Sequence, residues 1–181
     1  MRKLTAALLC AVALFAADPV RRAPGFCLSD TTGTWRDLAD YQGKPVILEF
    51  MQTTCPHCAA FTTILAAIRQ KYGDKVAILA VALSPDTPAT MLQYVAGHKL
   101  TYPLLLDQGQ VAASYVRAPS LEFPTIYLID AKGMIRSHYE FGPINKEIFE
   151  GTALAREIDK MLAPAPAPPP RPPSSPAGKK K

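Results

Sequence analysis

Cys55-Pro56-His57-Cys58 follows directly on the apolar run at residues 46–51 and opens a stretch with helical periodicity. A strand that runs into a C-x-x-C pair at the start of a helix confines the chain to few folds, because both sulfurs must meet within one helical turn. Free backbone N–H groups at a helix N-terminus favour the thiolate of the first cysteine, and the thiolate is the reactive species. His57 stands between the two and can place a positive or hydrogen-bonding group beside Cys55, making it a better leaving group. The spacing predicts redox chemistry with Cys55 as nucleophile, Cys58 as resolving thiol, and Pro56 and His57 tuning the pair. A structural zinc site needs a second ligand pair, and Cys27, His98 and His138 are scattered singly, so no metal is expected.

Arg2 and Lys3 precede an apolar stretch at residues 4–17 that ends in small residues. It falls short of the roughly 20 residues a membrane-spanning helix requires, so residues 1–17 read as an export signal cleaved after Ala16 or Ala17. The alternative is an uncleaved anchor that tethers the protein to the membrane. Cys10 follows Leu9 rather than the small residue of a lipoprotein signal, and lipidation is not expected. Export leaves Cys27 as an odd cysteine in an oxidising compartment. It lies opposite Phe26 and Leu28 in a short alternating segment and is expected to be a small buried side chain, the alternatives being a surface thiol that cross-links and a third redox partner. Residues 164–181, proline-rich and ending in Lys179 to Lys181, are expected to be an extended, mobile tail. The formal charge of +5 resides at these ends, since residues 18–163 hold 14 Lys and Arg against 15 Asp and Glu. A basic face for nucleic acid is therefore excluded.

Residues 18–163 are enough for a single core. Strands are predicted at 46–51 and 76–83 and helices at 59–72 and 87–98, a β-α-β arrangement that implies a parallel strand pair. An extended piece at 102–106 and a helix at 108–116 follow. Strands at 125–129 and 135–139 flank the turn Asp130-Ala131-Lys132-Gly133, which marks a hairpin. One closing helix is predicted over 145–162, burying Ile148, Leu154, Ile158 and Leu162. The fold class is α/β, with a mixed central sheet and helices on both sides. Trp35 is expected beneath the N-terminal segment, Tyr72, Phe141 and Phe149 in the core, and His98 and His138 at the surface.

Ala23-Pro24-Gly25-Phe26, Gly43-Lys44-Pro45-Val46, the C-x-x-C pair and Phe123-Pro124-Thr125 before residues 126–130 together resemble the TlpA-like and ResA-like exported thiol-disulfide oxidoreductases. These belong to the thioredoxin superfamily, in its redoxin/AhpC-TSA-like branch. The resemblance spans about residues 24–162 and implies a thioredoxin-like fold with an N-terminal extension and an inserted helix-strand element at 84–116. It implies a cis Phe123–Pro124 bond facing the cysteines, with the backbone of Phe123 pairing with an incoming substrate chain. Glu49, a carboxylate within an otherwise apolar strand, is costly to bury without a task. It matches the buried acid of thioredoxins and so resembles a proton acceptor for Cys58; a desolvated carboxyl suits that work near neutral pH. The lysine that accompanies this acid in ordinary thioredoxins is absent from Leu79-Ala80-Val81-Ala82-Leu83.

The implied activity is exchange of a Cys55–Cys58 disulfide with protein thiols or disulfides in the periplasm, through a mixed disulfide at Cys55. No cofactor beyond that disulfide is expected. A membrane-bound redox partner is a candidate, and the protein is expected to be a monomer. Pro56-His57 looks like the dipeptide of the oxidant DsbA, whereas the whole chain resembles reductants of the cytochrome c maturation type. Gln52-Thr53-Thr54 stands where relatives carry a tryptophan, so the docking surface is less apolar than usual. One rival reading is a peroxiredoxin-type thiol peroxidase, but the places of its Pro and Thr or Ser hold Leu48 and Gln52. Another is a copper carrier using Cys55, Cys58 and His57 or His138, soft thiolates being suited to Cu(I).

Overall fold

The structure, a computed structural model, describes residues 20–116 and 120–164. The readings of residues 1–17, of Cys10 and of all the tail except Pro164 lie outside the described residues. Six strands form one mixed sheet in the order β1-β8-β7-β4-β5-β6. They are β1 (Arg21–Arg22), β4 (Val46–Met51), β5 (Ala77–Ala82), β6 (Leu104–Leu106), β7 (Thr125–Ile129) and β8 (Met134–Glu140). β4, β5 and β6 run parallel, while β7 is antiparallel to β4 and β8 to β7. β2 (Cys27–Ser29) and β3 (Trp35–Asp37) form a separate two-stranded ribbon.

β4 and β5 are buried at every position, so their sequences run apolar on both faces instead of alternating. One face carries Ile47, Met51, Ala80, Ile126 and Leu128. The helices α1 (Pro56–Tyr72), α2 (Pro88–His98), α4 (Lys146–Phe149) and α5 (Thr152–Leu162) cover it. The other face carries Leu48, Phe50, Leu79 and Tyr127, under α3 (Gln110–Tyr115) and the segment with Ala23, Phe26 and Leu38. α2 and β6 fall in the inserted element at 84–116, and β1 with the ribbon is the N-terminal extension.

Three expectations need correction. The closing helix over 145–162 is two helices, because Gly151 takes a left-handed φ of 91° between α4 and α5. A Cβ there would lie 2.8 Å from Ile64 Cγ2, so glycine both turns the chain and lets it approach α1. Cys27 is exposed, not buried. The alternation does set it opposite the buried Phe26, but the ribbon has only one covered face, and Cys27 is on the other. Trp35, cross-strand from Ser29 on the ribbon, is 68% exposed for the same reason.

Candidate functional site

β4 ends at Met51 and the chain crosses the carboxyl end of the sheet in a short turn, closed by Cys55 N–H donating to Gln52 O at 3.1 Å. Cys55 caps α1 with extended backbone, and Pro56 takes the first helical position, where its missing N–H is no loss. Cys55 Sγ accepts from Cys58 N–H at 3.3 Å, so one orphan donor of the helix is spent on the sulfur. Cys55 is partly exposed, while Cys58, one turn on, is fully buried against the sheet. Burial pushes the Cys58 thiol far above the usual thiol range, and the Cys55 side chain and the Glu49 charge push it the same way.

The Phe123–Pro124 peptide is cis, and the Phe123 carbonyl lies 3.7 Å from Cys55 Sγ, within reach of the thiol proton. Pro124 is buried and Phe123 half-buried. Residues 123 and 55 are far apart in sequence, and the antiparallel pairing of β7 with β4 brings them together. His57 is exposed, and its ring stacks on Phe141 with centroids 4.1 Å apart, not on either sulfur. Phe141 in turn meets Phe149 edge-on at 5.4 Å.

Glu49 lies beneath, on the face of β4 shared with Ile47 and Met51 and with no exposed surface. Its strand neighbours in register are Ala80 and Ile126, neither of which can pair with a charge. Both carboxyl oxygens are buried with no protein partner, and burial raises its pKa to about 8. Cys55, Pro56, His57, Cys58, Phe123 and Pro124 thus converge at one end of the sheet, with Glu49 behind Cys58. Leu48 faces the opposite core, and Gln52 donates its side-chain amide to Ser84 O at 2.6 Å.

A second clamp escaped the sequence reading. Asp86, buried just after β5, accepts from Thr53 N–H at 2.8 Å, from the Thr53 hydroxyl in a short hydrogen bond, and from Thr90 Oγ1 at 3.0 Å. The preceding Ser84–Pro85 peptide is also cis. The available signal was topological, since parallel strands place their carboxyl ends side by side, so a polar residue leaving β5 arrives beside the loop leaving β4. Asp86→Ala strands the Thr53 N–H and hydroxyl, while Thr90 Oγ1 keeps Thr87 O as acceptor, and unfolding in urea is expected to show a loss of about 2 kcal/mol. Asp86→Asn, which keeps an acceptor, is expected to lose less.

Residues 19–138 match the model of the AhpC/TSA family. The chain is 28% identical over 144 residues to the thioredoxin-like protein YneN of Bacillus subtilis, covering 78% of this chain and 77% of that one. It is 34% identical over 144 residues to the thiol-disulfide oxidoreductase ResA of Geobacillus thermodenitrificans, covering 77% and 74%. Among solved structures it superposes on one from Chlorobium tepidum that carries the name thiol:disulfide interchange protein DsbE, with a TM-score of 0.69 at 26% identity, over 82% of this chain and all of that one. The chain belongs to the AhpC/TSA family, is a ResA/TlpA-like member of the thioredoxin superfamily, and is an oxidoreductase of the thioredoxin type.

Proposed function

We propose that this protein is an exported thiol-disulfide oxidoreductase that exchanges a Cys55–Cys58 disulfide with protein substrates through a mixed disulfide at Cys55. The observation that carries the reading is the asymmetry of the pair. Cys55 Sγ is reachable and held by a helix N–H, while Cys58 is sealed beneath it next to a buried carboxyl. Of the two cysteines of the motif, an incoming sulfur can meet only Cys55. Cys58 then acts from inside, giving its proton to Glu49 and attacking Cys55 to release the substrate. Phe123 offers its backbone beside Cys55 for a substrate chain, and Pro124 holds that strand start. His57 on its Phe141 support and Pro56 at the helix start set the local field at the sulfur.

Residues 1–17 carry the features of an export signal, which supports action in the periplasm on protein thiols; a monomer and a membrane-bound redox partner are further parts of the proposal.

The test is the reduction potential of Cys55–Cys58 against a glutathione series, with Cys27→Ser removing the exposed third thiol. A value above thioredoxin's, which is about −270 mV, is expected from the Pro56-His57 dipeptide. A value near −150 mV or higher makes it a disulfide donor; one at or below thioredoxin's makes it a reductant. A pair that does not equilibrate with glutathione overturns the reading.

A further inference from the structure

Glu49 is a charge site without a counter-charge. Ala80 and Ile126 flank it in the sheet, and no Lys, Arg or His is among the buried side chains of the described residues. What stands on that face instead is a set of hydroxyls. Ala80 pairs with Leu104 on its other side, and Tyr102 comes two residues before Leu104, on the same face. The small Ala80 side chain leaves room over the sheet between β4 and β6. Tyr102 is 8% exposed, and its buried hydroxyl, with Thr62 near it, makes no close hydrogen bond, nor does either Glu49 oxygen. Tyr94, from α2, is different, since its hydroxyl is 2.7 Å from Thr62 Oγ1, which donates to Cys58 O at 3.1 Å.

Three buried oxygens without a close hydrogen bond, two from a carboxyl and one from a hydroxyl on the same face, are an unstable arrangement unless they serve each other. An unmet buried polar group costs about 1–3 kcal/mol. We propose that Tyr102 is a positioning residue for Glu49, its hydroxyl reaching the Glu49 carboxylate through one internal water that hydrogen-bonds both. This rests on the reading of Glu49 as the proton acceptor for Cys58, and it supplies what the missing lysine would supply in an ordinary thioredoxin.

The chemistry balances with Tyr102 unchanged. Cys58 passes its proton to the Glu49 carboxylate, and the thiolate bonds to Cys55 Sγ. The Cys55–substrate S–S bond breaks, and the substrate sulfur leaves as a thiolate that takes a proton from solvent. Tyr102 keeps its own proton throughout, because burial, reinforced by the Glu49 charge, pushes its hydroxyl well above the ordinary tyrosine range. The titratable groups facing Glu49 are Cys58 and Cys55 from α1, Tyr94 from α2 and Tyr102 ahead of β6; β5 and β7 present only Ala80 and Ile126.

The experiment follows the Glu49 carboxyl by carbon-13 NMR in the full-length disulfide form, where neither Cys55 nor Cys58 titrates. Tyr102→Phe removes one oxygen and leaves the ring. It is expected to raise the Glu49 midpoint by about one unit, a tenfold loss of the ionised form at fixed pH. Tyr94→Phe, whose hydroxyl is already engaged by Thr62, is expected to move it by less than a third of that. An unmoved midpoint in Tyr102→Phe, or a larger shift in Tyr94→Phe, overturns the proposal. In the unmutated protein the Tyr102 ring carbon bearing the hydroxyl is expected to shift along the Glu49 titration, and a flat signal overturns the proposal without recourse to a variant. A resolving step indifferent to Glu49→Gln sinks the acceptor reading alone, because the carboxyl titration needs no turnover.

Discussion

Cys58→Ser is expected to arrest the protein as a covalent adduct with its substrate, and Cys55→Ser to abolish exchange outright. The two thiols are chemically alike but differ in access, so the same atom change has opposite consequences. Without Cys55 no reachable sulfur remains in the motif, and the rate should fall by a factor of about a thousand or more, which is roughly 4 kcal/mol of barrier. Without Cys58 the first step survives, since Cys55 keeps its cap position, but nothing displaces the substrate. A disulfide-bonded peptide substrate incubated with Cys58→Ser should give a species of combined mass that dithiothreitol dissolves. The background for both variants is Cys27→Ser, because Cys27 is exposed and can form adducts of its own. Turnover by Cys58→Ser at the unmutated rate, or no adduct at Cys55, contradicts the assignment of roles.

The motif and its strand-helix setting were readable because their signals are local. Apolar character on both faces at residues 46–51, broken only by Glu49, and at 76–83 marked strands covered on both faces, and Asp130-Ala131-Lys132-Gly133 marked the hairpin that the structure places between β7 and β8. What stayed hidden depends on contacts between distant segments. The turn at Gly151 answers to Ile64 on another helix, and helical spacing runs through it undisturbed. Trp35 and Cys27 carry the composition of buried residues, but a two-stranded ribbon has one dry face, and their place on the wet one follows from pairing register. Asp86 is an ordinary loop aspartate until Thr53 arrives from the neighbouring strand. His57 was readable as a group between two sulfurs, whereas its stacking on Phe141 was not.

Glu49→Gln is expected to change both stability and chemistry, in opposite directions. The folded carboxyl has a pKa of about 8 against an ordinary value of 4.5, because burial penalises its charge. Between those values the folded chain holds a proton that the unfolded chain releases, so stability falls as pH rises through the window and the loss is complete above about pH 8. The full loss is on the order of 4–5 kcal/mol, a large part of the roughly 5–15 kcal/mol by which a domain of this size is stable. Urea unfolding at pH 5, 7 and 9 should show this decline in the unmutated protein and lose it in Glu49→Gln, leaving the variant the more stable of the two at pH 9. The chemical effect has the other sign. Cys58 is buried and its thiol resists ionisation, so release of the mixed disulfide needs a nearby acceptor. Glutamine cannot be one, and release at pH 7 should slow by about a hundredfold. A neutral residue at position 49 would give a more stable sheet at every alkaline pH. Loss of the decline and slowing of release in the one variant assign to a single carboxyl both the strain on the fold and the proton transfer. If instead the stability slope vanishes while release is unchanged, Glu49 is a buried acid without a catalytic task, and the proton of Cys58 leaves by another route.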